Sequence, residues 1–301
     1  MAQSFPNKPI KVLVPFPAGG TVDFFARTLA PKLSEALGQA VLVENRPGAG
    51  GNIATEAVAK ATPDGYTLLM GSEIVAINTS LYSKLGYDPL KDLAPIVLVG
   101  TVPNILIVNP AVPVNNVKEL IALGKNKSAH LSYASTGQGT STHLSTELFK
   151  NMTGMQAVHV PYKGGPPAIA DLLGGQVNMM FINMPTGIAH VRSGKVKILA
   201  VSSKKRVAQL PDVPTVEEAG VKGFVTYAWS GLFAPAGTPR EVVARLNQEV
   251  VKLLKMPAIR EQLAGQGAEA VGDTPEEFGL FMREEVAQWA HMVRTSGAKV
   301  D

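Results

Sequence analysis

The chain has 301 residues, 46% hydrophobic and 17% charged, with a formal net charge of +4 and no cysteine. That length suits about two domains, and that apolar content supports buried cores rather than a disordered polymer. Disulfides, Cys-ligated zinc and thiol catalysis are excluded, the basic runs at 195–197 and at Lys204-Lys205-Arg206 are too short for a nucleic-acid patch, and no apolar stretch approaches the roughly 20 residues that span a bilayer.

The chain opens on Ala2-Gln3-Ser4 after Met1. These small residues are what cleavage of an export signal leaves behind, so an extracytoplasmic protein with its signal removed is expected. A cytosolic protein with a short tail is the other reading of the same residues. Ile10-Lys11-Val12-Leu13-Val14, closed by Pro15, reads as a buried parallel strand. A Pro17-Ala18-Gly19-Gly20-Thr21 loop follows. A helix is predicted over 22–37, with Phe25, Leu29 and Leu33 at helical spacing and Gly38 as its stop. Strands at 41–44 and 66–71 flank a Gly48–51 loop and a helix at 53–60.

The rhythm repeats after a β-rich run at 95–110. A strand at 131–134 leads into the hydroxyl-rich loop 135–142, a helix at 143–152, a strand at 158–162, a helix at 166–173 and strands at 177–181 and 197–201. A second β-rich run at 224–234 precedes helices at 239–254 and 275–293. The fold class is therefore α/β: two lobes, mostly parallel sheets with helices on both faces, and a double hinge crossing. Lobe 1 is expected to comprise 1–104 and 227–301, lobe 2 105–226, with a ligand cleft between them.

Two loops carry the candidate chemistry. Each lies between the carboxyl end of a strand and the amino end of a helix, where backbone N–H groups lack intrahelical partners and the helix dipole is positive. Glycine allows close approach of a ligand, so such a place holds anions. One loop is Phe16, Pro17, Ala18, Gly19, Gly20 and Thr21. The other offers the hydroxyls of Ser135, Thr136, Thr140 and Ser141 around Gly137. Either alone reads equally well as an ordinary strand-to-helix turn; facing each other, they would chelate one small anion. Ser72 and Glu73, Tyr162 and Asn183 follow strand ends on the side where open α/β sheets bind ligands. His143 starts the helix after the second loop, where it lines the cleft or packs within the fold. Asp23 reads as a first-turn complement to the helix dipole, with Arg27 one turn on as an ion-pair partner. Gly48–51 reads as a capping loop that buttresses the first site.

Catalytic and cofactor motifs are lacking. There is no Gly-x-x-x-x-Gly-Lys-Ser/Thr. Gly48-Ala49-Gly50 has Ile53 where a dinucleotide fingerprint needs glycine. None of the five histidines has metal-ligand spacing, and no Gly-x-Ser-x-Gly elbow exists. The expectation is no catalytic residue, no metal and no cofactor.

Several strings resemble one family. They include Val14-Pro15-Phe16-Pro17-Ala18-Gly19-Gly20, Val43-Glu44-Asn45-Arg46-Pro47-Gly48-Ala49-Gly50-Gly51 and Pro63-Asp64-Gly65-Tyr66-Thr67-Leu68. Further along come His159-Val160-Pro161-Tyr162-Lys163-Gly164, Leu210-Pro211-Asp212-Val213-Pro214-Thr215 and Ala234-Pro235-Ala236-Gly237-Thr238-Pro239. From Phe5 to the end the chain resembles the Bug proteins, periplasmic receptors of tripartite tricarboxylate transporters. The resemblance implies a periplasmic Venus flytrap that captures a small carboxylate, partly through ordered waters held by the two loops. It also implies delivery to membrane permease subunits, here as an expected monomer. Family members that bind amino acids have an acidic residue near the position of Asn183. Asparagine there favours a di-, hydroxy- or aromatic carboxylate without an amine. Glu73 facing the cleft would repel a second carboxylate unless protonated or accepting a hydroxyl. A sensor partner signalling carboxylate occupancy and an α/β enzyme are the rival readings.

Overall fold

A computed structural model describes residues 5–296. In β1 (Ile10–Val14) the side chains alternate between two cores: Ile10, Val12 and Val14 enter one, Leu13 the other. The loop after it leads to α1 (Thr21–Leu37), whose Val22, Phe25, Ala26, Leu29, Leu33 and Leu37 form the single apolar face that packs on the first of these cores. Gly38 ends the helix in the left-handed region, at φ 66°. β2 (Val41–Asn45), α2 (Asn52–Ala59), β3 (Thr67–Ser72) and α3 (Ile74–Leu81) complete the first unit. β1 lies between β2 and β3, parallel to both.

β4 (Leu93–Val108) then runs for 16 residues. It is followed by α4 (Val117–Lys125), β5 (Ser132–Ser135), α5 (Ser141–Thr153), β6 (Val158–Pro161), α6 (Gly165–Leu173), β7 (Met179–Asn183), α7 (Met184–Arg192) and β8 (Lys197–Val201). β5 is parallel to β6 and β7. The chain returns through β9 (Tyr227–Pro235), α8 (Arg240–Leu254), α9 (Pro257–Gly265), β10 (Glu269–Ala270) and α10 (Pro275–Ser296). Parallel pairing thus occupies the flanks, while β7, β8, β9 and β10 lie antiparallel to β4 in the middle.

The two expected halves meet within β4. Up to Pro103 it pairs with β9, ending on Pro103 opposite Tyr227; from Asn104 it pairs with β7, beginning on Asn104 opposite Asn183. The changeover is polar and buried. Ser202 Oγ accepts from Asn104 N at 2.8 Å, and Asn104 Nδ2 donates to Ser145 Oγ at 3.1 Å. Thr226, just before β9, donates its backbone N–H to Ser202 O and accepts on its own carbonyl from the Ser202 hydroxyl. Each half has an apolar cluster on both faces of its sheet segment. Each fully buried Phe, Leu or Ile there stabilises the fold by about 1.5–3 kcal/mol.

The β-rich run at 95–110 falls on one strand, β4, and its first proline is accommodated locally. Pairing with β9 slips between Pro95 and Val97, where the missing N–H removes a ladder bond. α3, α4, α7 and α9 lie outside the sequence-predicted elements. α3 follows its strand within a single residue, and six of its eight residues are buried, so it has no polar face to give a helical period.

Candidate functional site

Five helices begin around one small cavity. The residues that cap α1, α3, α5, α6 and α7 are Gly20, Glu73, Thr140, Gly164 and Asn183, and none closes its helix with a side-chain hydrogen bond. All five line a cavity of about 30 Å³, room for about two water molecules. First-turn N–H groups with no intrahelical partner and five positive dipole ends therefore converge there. No Lys, Arg or His side chain lines the cavity among the described residues; Glu73 is its one ionisable wall.

Hydrogen bonds from behind fix the first loop. Asp23, 3% exposed, accepts from Gly19 N at 2.9 Å, from Arg27 Nε at 2.9 Å and from Asn45 Nδ2 at 2.9 Å. Asn45 Nδ2 also donates to Phe16 O at 3.0 Å. Burial pushes the Asp23 carboxyl up, but the bonds from Gly19, Asn45 and Arg27 outweigh it and hold it below the usual range. The sequence-based reading changes here. The Gly19 N–H is engaged by Asp23, and Ala18 and Gly19 face outward. Phe16, Pro17, Gly20 and Thr21 are the members of this loop that line the cavity. Thr21 Oγ1 meets Thr186 Oγ1 at 3.0 Å.

The second loop is braced by a ring stack. His143 Nδ1 accepts from Gly139 N at 3.0 Å, His143 stacks on His159 at 4.0 Å, and His159 Nε2 pairs with Ser135 Oγ at 2.7 Å. Burial pushes His143 down to about 4 and His159 to about 3, so both rings are neutral. His143 therefore stands behind the loop rather than in the cavity, and the Ser135 hydroxyl is turned toward His159. Thr136 and Thr140 line the cavity. Gly137 and Tyr162 line an adjoining cavity of about 590 Å³ that shares Phe16, Pro17, Thr136 and Thr140 with the inner one. Lys163 and the Gly48–51 loop line that outer space too.

On the far wall, Ser72 in β3 stands opposite Ser230 in β9. Their hydroxyls, and that of Ser141, are buried without a hydrogen-bond partner among the described residues. Glu73 is 5% exposed, and burial pushes it up to about 7. The Ser141 hydroxyl lies close enough to favour the ionised carboxylate, against the effect of burial. Trp229 N approaches Glu73 Oε2 at 3.4 Å. Trp229 is itself held by Glu285, which accepts from its Nε1 at 2.5 Å, from Trp289 Nε1 at 2.8 Å and from Tyr227 Oη at 3.1 Å. Asn183 donates its Nδ2 to Asn104 Oδ1 at 2.7 Å.

Sequence reasoning missed Gly164, Gly165, Thr186, Trp229 and Ser230 among the lining residues. The usable signal was Ser230, a lone hydroxyl inside the apolar run 228–234. Among the described residues no group of His, Cys, Asp and Glu is placed to hold a metal ion, and no helix is long and apolar enough to cross a membrane.

The profile of the family described as "Tripartite tricarboxylate transporter family receptor", TctC, matches residues 25–298. Protein BugT of Bordetella pertussis is 42% identical over 301 residues, which cover 99% of this chain and 92% of that protein. The solved structure of R. palustris Rpa4515 with adipate superposes with a TM-score of 0.95 at 38% identity, covering 98% of this chain and all of the other. MatC (Rpa3494) from Rhodopseudomonas palustris with bound malate gives a TM-score of 0.91 at 34% identity, covering 96% of this chain and all of the other.

Proposed function

The chain belongs to the tripartite tricarboxylate transporter receptor family, and from that premise we propose that it captures a small organic carboxylate in the cleft and delivers it to the permease subunits of a periplasm-facing membrane transporter. The observation that carries this reading is the convergence of five uncapped helix starts on one cavity. Such a wall offers fixed N–H donors to a carboxylate. Adipate and malate in two similar proteins support the same ligand class.

In this proposal lobe 1 is 1–104 with 227–301 and lobe 2 is 105–226. The lobes hinge where β4 changes partner and where the chain re-enters β9. The Thr21–Thr186 bond and the small cavity volume support a reading in which the lobes are together. A ligand enters when they part and is enclosed when they meet. The proposed contacts are Gly20, Thr21, Thr136, Thr140 and Asn183 at the carboxylate, with Ser72 and Glu73 beyond.

A thermal-shift screen tests the function. A carboxylate at about 100 times its Kd should add about 2.7 kcal/mol to stability, read as a rise in Tm. Uncharged amides of the same acids should give no rise. If no mono-, di- or hydroxycarboxylate raises Tm, the proposal fails.

A further inference from the structure

The cavity is chemically two-ended. Toward α1, α5, α6 and α7 it presents helix starts, which favour negative charge. Toward β3 and β9 it presents Glu73, at the α3 start, beside Ser72 and Ser230. Ser72 and Ser230 are 2% and 0% exposed, and their hydroxyls are left without partners among the described residues. Buried hydroxyls are nearly always hydrogen-bonded, so an unpaired pair lining a cavity is a site waiting for a polar group.

Resting on the carboxylate-receptor reading, we infer that Ser72, Glu73 and Ser230 form a specificity subsite that takes a hydroxyl of the ligand and turns away a second carboxylate. The donor and acceptor inventory decides between these groups. Glu73 when ionised is acceptor-only, and its Oε2 has only the long contact from Trp229 N. Each serine both donates and accepts. A ligand hydroxyl donates to Glu73 and accepts from a serine, which satisfies both. A second carboxylate finds serine donors, but beside ionised Glu73 in a water-poor wall the two charges repel with little screening, so it enters only where Glu73 keeps its proton. Asn183, at the carboxylate end, gives one amide N–H to Asn104 and keeps the other for the ligand. The Glu73 end therefore asks for a hydrogen-bond donor without a negative charge.

Four-carbon acids that share one carboxylate test this: succinate, 4-hydroxybutyrate and 4-aminobutyrate, with butyrate as the reference. Each is titrated calorimetrically at about pH 8 against the wild type, Glu73→Gln and Ser230→Ala. The wild type should bind 4-hydroxybutyrate at least about tenfold tighter than succinate, since a hydrogen bond to a charged group is worth about that factor. Butyrate, which lacks the hydroxyl, should bind more weakly than 4-hydroxybutyrate. Glu73→Gln should strengthen succinate and weaken 4-hydroxybutyrate, each by several-fold, so that the preference collapses. Ser230→Ala, which removes one small hydroxyl, should weaken 4-hydroxybutyrate by several-fold; it guards against a Glu73 variant that does not fold. Binding of carboxylates with a 4-hydroxybutyrate-to-succinate ratio near one, or a ratio that neither variant alters, overturns the subsite and leaves the receptor reading intact. 4-Aminobutyrate bound more tightly than 4-hydroxybutyrate overturns the hydroxyl assignment in favour of an ammonium. No binding of any of the four, with no response in the wider carboxylate screen, overturns both.

Discussion

Glu73→Gln also has a consequence for stability that needs no ligand. Burial raises the Glu73 carboxyl from 4.5 to about 7. The folded chain therefore holds a proton that the unfolded chain releases between those two values. Its stability falls as pH rises from 4.5 through 7 and levels off above. At about 1.4 kcal/mol per unit the full penalty is about 3 kcal/mol, of which about 2.5 kcal/mol develops between pH 5 and pH 8. Glutamine is nearly isosteric and cannot ionise, so the variant should lack this part of the slope. Urea unfolding of both proteins at pH 5 and pH 8 checks it, in buffers free of acetate, citrate and other carboxylates. Asp273, pushed up to about 6, and Glu285, also raised, add slopes of the same sign. They are common to both proteins and largely cancel in the difference, although Glu285 also faces Glu73 and a fraction of its slope travels with it. Relative to wild type, the variant should gain about 2–3 kcal/mol between pH 5 and pH 8. Parallel pH profiles would mean that Glu73 is ionised and solvated in the folded protein, and the account of the far wall would fall.

Two further outcomes concern the loops. Asp23→Ala removes the acceptor for Gly19 N, Arg27 and Asn45; stability should fall by about 1–3 kcal/mol, and the affinity for the preferred carboxylate by about tenfold as the first loop loses its brace. A lower Tm with unchanged affinity would show that this loop does not hold the ligand. Gly139 has φ +73°, and a Cβ there would clash with the Leu81 side chain, which belongs to the other proposed lobe. Gly139→Val should therefore hinder the meeting of the lobes, lowering affinity more than about tenfold while a cooperative melt persists. Small-angle scattering should then show no ligand-induced compaction, and compaction equal to that of wild type would refute the steric argument.

The alternation of strands and helices, the two loops and the double passage between halves were legible because each rests on local pattern. The 22–37 helix has a clean apolar stripe, and the two loops sit where a β-type period gives way to a helical one. What stayed hidden depends on pairing between distant segments. Ser72 and Ser230 are 158 positions apart and become neighbours only through the β3–β9 register. Trp229 reads as core until its backbone N–H is seen beside Glu73. Asp23 reads as a generic first-turn acid, because its real partners, Gly19 N and Asn45, are fixed by how β2 packs beside β1. His143 was ambiguous for a related reason: position alone puts it at the cleft, and only the stack on His159 turns it behind the loop.

The absence of a cationic side chain from the cavity wall bears on how a receptor of this kind would let go. A lysine or arginine from one lobe would keep most of its attraction for a carboxylate after the lobes part, because a full charge acts over several ångströms. Helix-start N–H groups act at contact distance, and their field fades within the first turn. Here α1 and α3 belong to one proposed lobe and α5, α6 and α7 to the other. Neither set alone surrounds an anion. Parting the lobes would then remove part of the donor set and admit water to the rest, so affinity would depend steeply on closure rather than on either wall. A Lys placed at Thr186, on the α7 start facing Thr21, should break that dependence. Thr186→Lys is expected to slow carboxylate dissociation by about tenfold in stopped-flow displacement, about the effect of one added charge-assisted bond. An unchanged or faster off-rate would place the ligand carboxylate away from the α7 start.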